Sequence, residues 1–249
     1  MTFKLPKIIG HRGAAAYAPE NTAVGIHSAA DLGVDWVELD VKLTKDFIPI
    51  IFHDSTLERT TNGFGQVQDH TWSEIQELDA GSWFSESFTG EGILSLERAI
   101  DIMIERNLGF NLEIKPCEGR EVETAEVALD MISSIWDEQN SLLISSFATE
   151  CLETSKNMAL DIYRGLLVDG LPDNWLELAK DLDVKSINLN GNNVSLTKDD
   201  IHTITETGHQ IMAYTINDAS HANTLMSWGV SSFCSDQPDI LIEDMFSVH

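Results

Sequence analysis

Positive charge is scarce in this chain. Fifteen lysines and arginines stand against 41 aspartates and glutamates in 249 residues, a formal net charge of -26. Such a surface excludes nucleic acid and anionic membrane as partners, and otherwise reads as solubility. It also repels anionic ligands at long range, so a site for one needs its own local cations. Cysteine is nearly absent: Cys117, Cys151 and Cys234 make three, with no Cys-x-x-Cys, which excludes a disulfide framework and a zinc ribbon. No apolar run is long enough to span a bilayer. The stretch from Met1 to Gly10 lacks the apolar core and cleavage site of a secretory signal. A reducing cytoplasm with no membrane anchor is the expectation. There is no Walker or Rossmann fingerprint, and Asn62-Gly63-Phe64-Gly65 reads as turn chemistry. The absence of low-complexity segments and Pro/Gly/Ser linkers predicts a single domain over 1–249.

Short apolar runs alternate with amphipathic stretches. Strands are predicted at Ile8–His11, Trp36–Leu43, Ile48–His53, Phe110–Ile114, Leu142–Phe147, Tyr163–Val168, Ser186–Leu189, Ile211–Ile216 and Ser232–Cys234. Helices are predicted over 20–32, 95–107, 121–138, 149–158, 174–182, 197–207, 219–228 and 238–246. In 95–107, Leu96, Ala99, Ile100, Met103 and Ile104 recur at helical spacing. Ser95 and Thr197 are N-cap residue types. Strands alternating with helices predict an α/β fold with a parallel sheet, and the length suits a closed (β/α)8 barrel. The gap between Leu43 and Ile48 is too short for a parallel crossover, so these two strands should form an antiparallel hairpin around Lys45-Asp46. If residues 40 and 53 face each other, His53 stands level with Asp40. Between Asp54 and Ile93 the alternation stops, and Trp72, Trp83, Phe84 and Phe88 appear. Segment 54–93 is read as a small insertion packed over the catalytic end of the barrel.

The chemistry gathers at strand ends: His11-Arg12, Glu38 and Asp40, His53-Asp54, Glu113 and Lys115, and Ser235-Asp236. Glu38 and Asp40 are two apart on a strand and share a face. Glu113 ends another strand. Three carboxylates without sulfur suit one hard divalent cation, Mg²⁺ or Ca²⁺; ordinary ion pairs on an exposed face are the plainer alternative. Imidazole carries protons near neutral pH, so His11 and His53 suit general acid/base roles. Arg12 and Lys115 supply fixed cations, either for phosphate oxygens or to neutralise the three acids. The remaining histidines, at 27, 70, 202, 209, 221 and 249, show no ligand spacing.

With these segments in view, the chain resembles the glycerophosphodiester phosphodiesterases, of the cytosolic bacterial type. The ordered series carries the likeness: His11-Arg12-Gly13 into Ala18-Pro19-Glu20-Asn21-Thr22, then Glu38-Leu-Asp40 through Asp46. Next come His53-Asp54 with Leu57-Glu-Arg59-Thr60, Glu113-Ile-Lys115-Pro116, Ser146-Phe147, Tyr214-Thr-Ile-Asn217 and Ser235-Asp236-Gln237-Pro238. The resemblance implies an α/β barrel with its site at the C-terminal ends of the strands. It implies hydrolysis of glycerophosphodiesters, such as glycerophosphocholine or glycerophosphoethanolamine, to an alcohol and sn-glycerol 3-phosphate. By it, His11 and His53 are the acid and base, Glu38, Asp40 and Glu113 hold the metal, and Arg12 and Lys115 face the phosphate. Phe147 and Tyr214 are candidates to line the substrate pocket. Tyr214 stands where many members have Trp and Ser235 where many have Thr, departures that bear on substrate fit. Attack by a glycerol hydroxyl through a cyclic phosphate, and direct attack by water, both fit the sequence. So do a monomer and a homodimer. The rival readings are a lysophospholipase D-like or phosphoinositide phospholipase-like barrel, and a catalytically silent binding barrel. The acidic surface argues against the lipid enzymes, and the intact set of histidines and carboxylates argues against the silent one.

Overall fold

Strands covered by helices must be apolar on the covered face, and the outward positions of these strands are, while inward positions carry polar residues such as Glu38, Asp40, Asn111, Asn188 and Ser232. A computed structural model describes residues 3–137, 141–159 and 161–246. Its strands are β1 (Ile8–His11), β2 (Trp36–Leu43), β3 (Pro49–Ile51), β4 (Leu94–Ser95), β5 (Gly109–Ile114), β6 (Leu142–Ser146), β7 (Tyr163–Val168), β8 (Ser186–Asn190), β9 (Gln210–Tyr214) and β10 (Ser232–Ser235). Its helices are α1 (Ala23–Asp31), α2 (Trp72–Ile75), α3 (Leu96–Arg106), α4 (Glu121–Ile135), α5 (Thr149–Met158), α6 (Trp175–Asp181), α7 (Lys198–Glu206), α8 (Ala219–Trp228) and α9 (Pro238–Phe246). Eight strands are parallel, in the order β1-β10-β9-β8-β7-β6-β5-β2, and the β1–β2 pairing closes them into a barrel. The expected (β/α)8 architecture is therefore present.

Outward positions such as Val37, Leu39, Val41, Leu112 and Ile144 join Ile26, Ala29, Ile100, Met103 and Leu129 of the helices in one large core. Inward positions form a smaller cluster of Ile9, Trp36, Leu143, Met212 and Cys234, together with Phe3 and Leu5. Phe3 stacks on Tyr163 at 4.0 Å, and Gln210 Nε2 donates to the Phe3 carbonyl at 3.1 Å. Trp36, Tyr163 and Gln210 open their respective strands. The segment preceding β1 thus stoppers the N-terminal end of the barrel.

The helices begin where their caps dictate. Ser95 and Thr197 cap α3 and α7 through their hydroxyls, Thr197 with a reciprocal bond from Asp200. The helix expected from residue 20 starts at Ala23 because Thr22 is its cap. On α3, Ile104 is exposed, and Ile102 on the opposite flank takes a buried place instead. The helix expected over 121–138 ends at Ile135, where Trp136 turns extended against Phe110; residue 138 lies outside the described residues.

The hairpin forms, with one correction. Val41 pairs with Ile51 and Lys42 with Ile50, so Phe52, whose N–H donates to the Asp40 carbonyl, faces Asp40, and His53 stands one residue further on. The turn sets this register: Phe47 takes a left-handed backbone (φ 65°) and Thr44 bonds Ile48. β3 is also shorter than expected, ending at Ile51 as Phe52 leaves for another cluster. That cluster joins Ile50 and Phe52 to Leu57, Val67, Ile75, Ala80, Ile93 and Cys117. The segment after β3 is therefore held mainly by aliphatic packing. Of the aromatics noted in its sequence, Trp72 packs on this cluster, while Trp83 is exposed and makes an edge contact with Phe84.

β1 ends in a tight reversal. Gly13 has φ +90°, and a Cβ there would stand 2.5 Å from the Gly25 carbonyl carbon in α1. Gly13→Ala should therefore destabilise the protein by at least about 1 kcal/mol, read as a lowered denaturation midpoint; an unchanged midpoint would show that the turn relaxes freely.

Candidate active site

β2 is longer than its neighbours, and one of its edges is shared. Its residues 37–38 pair with β1 and its residues 41–43 with β3, both on the edge opposite β5. Between the two pairings the chain after β1 peels away past Glu38, and the chain after β3 leaves once Phe52 has bonded the Asp40 carbonyl. That gap is where His11, the last residue of β1, and His53, just beyond β3, emerge beside Glu38 and Asp40. On the other edge, Glu113 is the pairing partner of Asp40. The register alone brings two imidazoles and three carboxylates to one end of the barrel.

Glu38, Asp40 and Glu113 are all buried, and each offers an oxygen within 4.8 Å of the others. Burial, then the charges of Asp40 and Glu113, pushes the Glu38 carboxyl well above its ordinary range. Burial and Asp40 likewise push Glu113 up to about 7. Burial would raise Asp40 as well, but Arg12, His53 and Lys115 outweigh it and hold Asp40 low. Glu38 Oε1 is buried with no hydrogen-bond partner, although buried carboxylate oxygens are normally satisfied. Close oxygens, one of them orphaned, and no sulfur fit a hard divalent cation.

Two cations flank the cluster. Arg12 adopts a left-handed backbone (φ 50°), which turns its N–H onto Glu38 Oε2 at 3.1 Å, and its Nε lies 3.5 Å from Asp40. Lys115 Nζ donates to Glu113 at 2.8 Å and stands 3.8 Å from Asp40. The Phe147 ring centroid is 5.4 Å from that ammonium, and Tyr214 meets Phe147 edge-on at 6.0 Å. All nine residues singled out in the sequence thus belong to one neighbourhood.

Several partners had been given no role. Each imidazole rests on an aspartate. His11 Nδ1 donates to Asp236 at 2.6 Å, and Asn217 donates to the other Asp236 oxygen at 2.8 Å. His53 Nδ1 donates to Asp54 at 2.5 Å, and Arg59 donates to both Asp54 oxygens. These bonds hold Nδ1, so Nε2 of each ring is free to face a ligand; for His11 it points toward Glu38, at 3.9 Å. Asn21, also left-handed, donates to Asp40 at 2.9 Å, and Glu20 accepts from Arg12 at 2.7 Å. Lys42 is almost fully buried and donates to the Lys115 carbonyl at 2.6 Å. The alternation along β2 is the signal for Lys42, since it continues the face of Glu38 and Asp40. The need of a catalytic imidazole for an orienting group is the signal for Asp54 and Asp236. The other described histidines are engaged elsewhere, as His70 with the Phe64 carbonyl and His221 with the Gly191 carbonyl; residue 249 lies outside the described residues.

Residues 11–240 match the glycerophosphoryl diester phosphodiesterase family. A glycerophosphodiester phosphodiesterase of Caldanaerobacter subterraneus subsp. tengcongensis is 32% identical over 236 residues, covering 94% of this chain and 96% of its own. One from Bacillus subtilis is 28% identical over 249 residues, covering 93% and 84%. An Oleispira antarctica phosphodiesterase, solved in complex with the product sn-glycerol 3-phosphate, is 37% identical, covers 98% of both chains and superimposes with a TM-score of 0.94.

Burial and mutual repulsion push Glu38 upward and Glu113 up to about 7, so a cation entering the three-carboxylate cluster competes with protons. Calorimetry with Mg²⁺ or Ca²⁺ at pH 7, in buffers of different ionisation enthalpy, should record proton release. Affinity should rise as pH rises through about 7; heats independent of buffer and pH would contradict this.

Proposed function

Because the chain belongs to the glycerophosphoryl diester phosphodiesterase family and is an enzyme of that class, we propose that it hydrolyses glycerophosphodiesters such as glycerophosphocholine or glycerophosphoethanolamine. The products are the free alcohol and sn-glycerol 3-phosphate, which is the product seen bound to the Oleispira antarctica enzyme. The single observation that carries this reading is the pair of aspartate-backed imidazoles meeting the buried carboxylate cluster at the β2 edge. We read the chain as one domain, with 54–93 as its insertion.

A phosphodiester is an anion that resists a nucleophile. Arg12 and Lys115 bind its oxygens and stabilise the charge that grows on them in the transition state. One of His11 and His53 takes the proton of the attacking hydroxyl or water through Nε2. The other gives a proton to the departing alkoxide, and the phosphorus–oxygen bond to the alcohol breaks; where a glycerol hydroxyl has attacked, water then opens the cyclic phosphate to sn-glycerol 3-phosphate. The aspartates hold both rings in the required tautomer. Glu38, Asp40 and Glu113 hold one divalent cation, Mg²⁺ or Ca²⁺, which supplies Lewis-acid stabilisation when bound. Phe147 and Tyr214 offer an apolar wall beside Lys115 for the carbon skeleton of the substrate.

Among the described residues, no helix is long and apolar enough to cross a membrane. The three cysteines are free and buried, which supports a reducing cytoplasm as the working environment.

Incubation with glycerophosphocholine and a divalent ion should release sn-glycerol 3-phosphate, faster than lysophosphatidylcholine is cleaved; no release with any glycerophosphodiester sinks the proposal. His11→Ala and His53→Ala should each cost about 10²–10⁴-fold in kcat with the fold intact by circular dichroism. A variant of near-normal rate removes that histidine from the mechanism. Excess chelator should abolish turnover and added Mg²⁺ or Ca²⁺ should restore it, whereas full activity in chelator removes the cation.

A further inference from the structure

Arg59 lies just beyond β3, on the segment that follows His53, and its guanidinium is engaged on both sides. Nε donates to Asp54 Oδ2 at 2.6 Å, and Nη2 to Asp54 Oδ1 at 2.9 Å. Nη1 donates to Glu20 Oε2 at 2.8 Å, and Nη2 also to Glu20 Oε1 at 2.7 Å. Each carboxylate is therefore held by two bonds from one planar group, a geometry that lysine cannot reproduce. Both carboxylates also have a second partner. Asp54 accepts from His53 Nδ1, and Glu20 Oε1 accepts from Arg12 Nη1 at 2.7 Å. The result is one continuous chain of charged hydrogen bonds: His53, Asp54, Arg59, Glu20, Arg12.

We propose that Arg59 is a positioning residue that fixes both the proton-carrying ring of His53, through Asp54, and the phosphate-facing fork of Arg12, through Glu20. The inference rests on the reading of His53 and Arg12 given above.

The Arg59 side chain is 43% exposed, and exposed ion pairs generally add little to folding, although bidentate pairs in a network add more. Orientation is another matter. Asp54 is a carboxylate on a loop leaving β3, and a single bond to His53 leaves it free to swing. Two bonds from Arg59 fix the plane of the carboxylate and with it the plane of the imidazole. Glu20 sits in the loop between β1 and α1. Tying it to the same guanidinium places Arg12, which stands on the left-handed turn after β1, at a set distance from the chain leaving β3. One side chain thus ties the chain leaving β1 to the chain leaving β3.

The two arms predict separable effects. Arg59→Met should lower kcat through His53 and raise KM through Arg12, by about 10–100-fold in kcat/KM, the usual cost of losing an orienting partner. Glycerophosphocholine turnover by the unaltered enzyme is the control: no turnover there refutes the functional reading, and leaves the orienting role to be judged by the crystal structure of the variant. With an active parent, Arg59→Met on an Asp54→Asn background should change kcat little further, and on a Glu20→Gln background should change KM little further. Arg59→Lys should recover part of the loss. Circular dichroism and the denaturation midpoint report whether each variant is folded; Arg59→Gln serves if Arg59→Met is not. Values of kcat and KM within twofold of the parent overturn the proposal. So do losses that add in full to those of Asp54→Asn and Glu20→Gln, or a fall in kcat that only tracks lost folded protein with KM unchanged.

Discussion

Three carboxylates taken out of water side by side set the terms for everything around them. An uncompensated buried charge costs on the order of several kcal/mol, and Glu38, Asp40 and Glu113 also repel one another. The structure answers with Arg12 and Lys115 at hydrogen-bonding or ion-pair range, with carboxyl groups at Glu38 and Glu113 pushed toward the protonated form, and with a left-handed Asn21 whose amide caps Asp40. Such a cluster stores affinity for a cation. In the reaction proposed above, the same positive side chains that balance the carboxylates turn to a phosphate when a dication takes over the carboxylates.

The barrel makes this cluster by letting one strand serve two partners along a single edge. β1 occupies the lower part of β2 and β3 the upper part. A histidine leaves at each side of the handover, so backbone pairing brings the imidazoles to the site and the loop aspartates behind them orient the rings. The aspartates behind them differ in what holds their far oxygens: a neutral amide from Asn217 for Asp236, a guanidinium from Arg59 for Asp54. The two rings therefore sit in different electrostatic settings, one requirement for dividing acid and base work between them.

Much of this was legible in the chain. Short apolar runs alternating with amphipathic stretches marked the eight barrel strands, and a four-residue gap revealed the hairpin. The register of that hairpin was misjudged by one residue because it is set by the backbone of Thr44 and Phe47, whose left-handed turn leaves no hydropathy signal. β4 is two residues long, too short for periodicity to act on. Glu38, Asp40 and Glu113 could be grouped because strand alternation and neighbouring strand ends determine them. The partnership of His11 with Asp236 spans 225 positions of sequence, and that of Arg59 with Glu20 joins two irregular segments. Such contacts follow from tertiary closure and no local pattern encodes them. The aromatics of the segment after β3 misled in a smaller way, since its core is aliphatic.

Among the described residues, Phe3, Leu5 and Trp36 pack into the inner cluster at the N-terminal end of the barrel, which leaves the C-terminal mouth as the approach to the carboxylates. Reactant and hydrolysed fragments must pass through the same opening, so an occupied mouth admits no newcomer. For the reaction proposed above, turnover then inherits an order of events from architecture: departure precedes arrival, and accumulated product competes for entry.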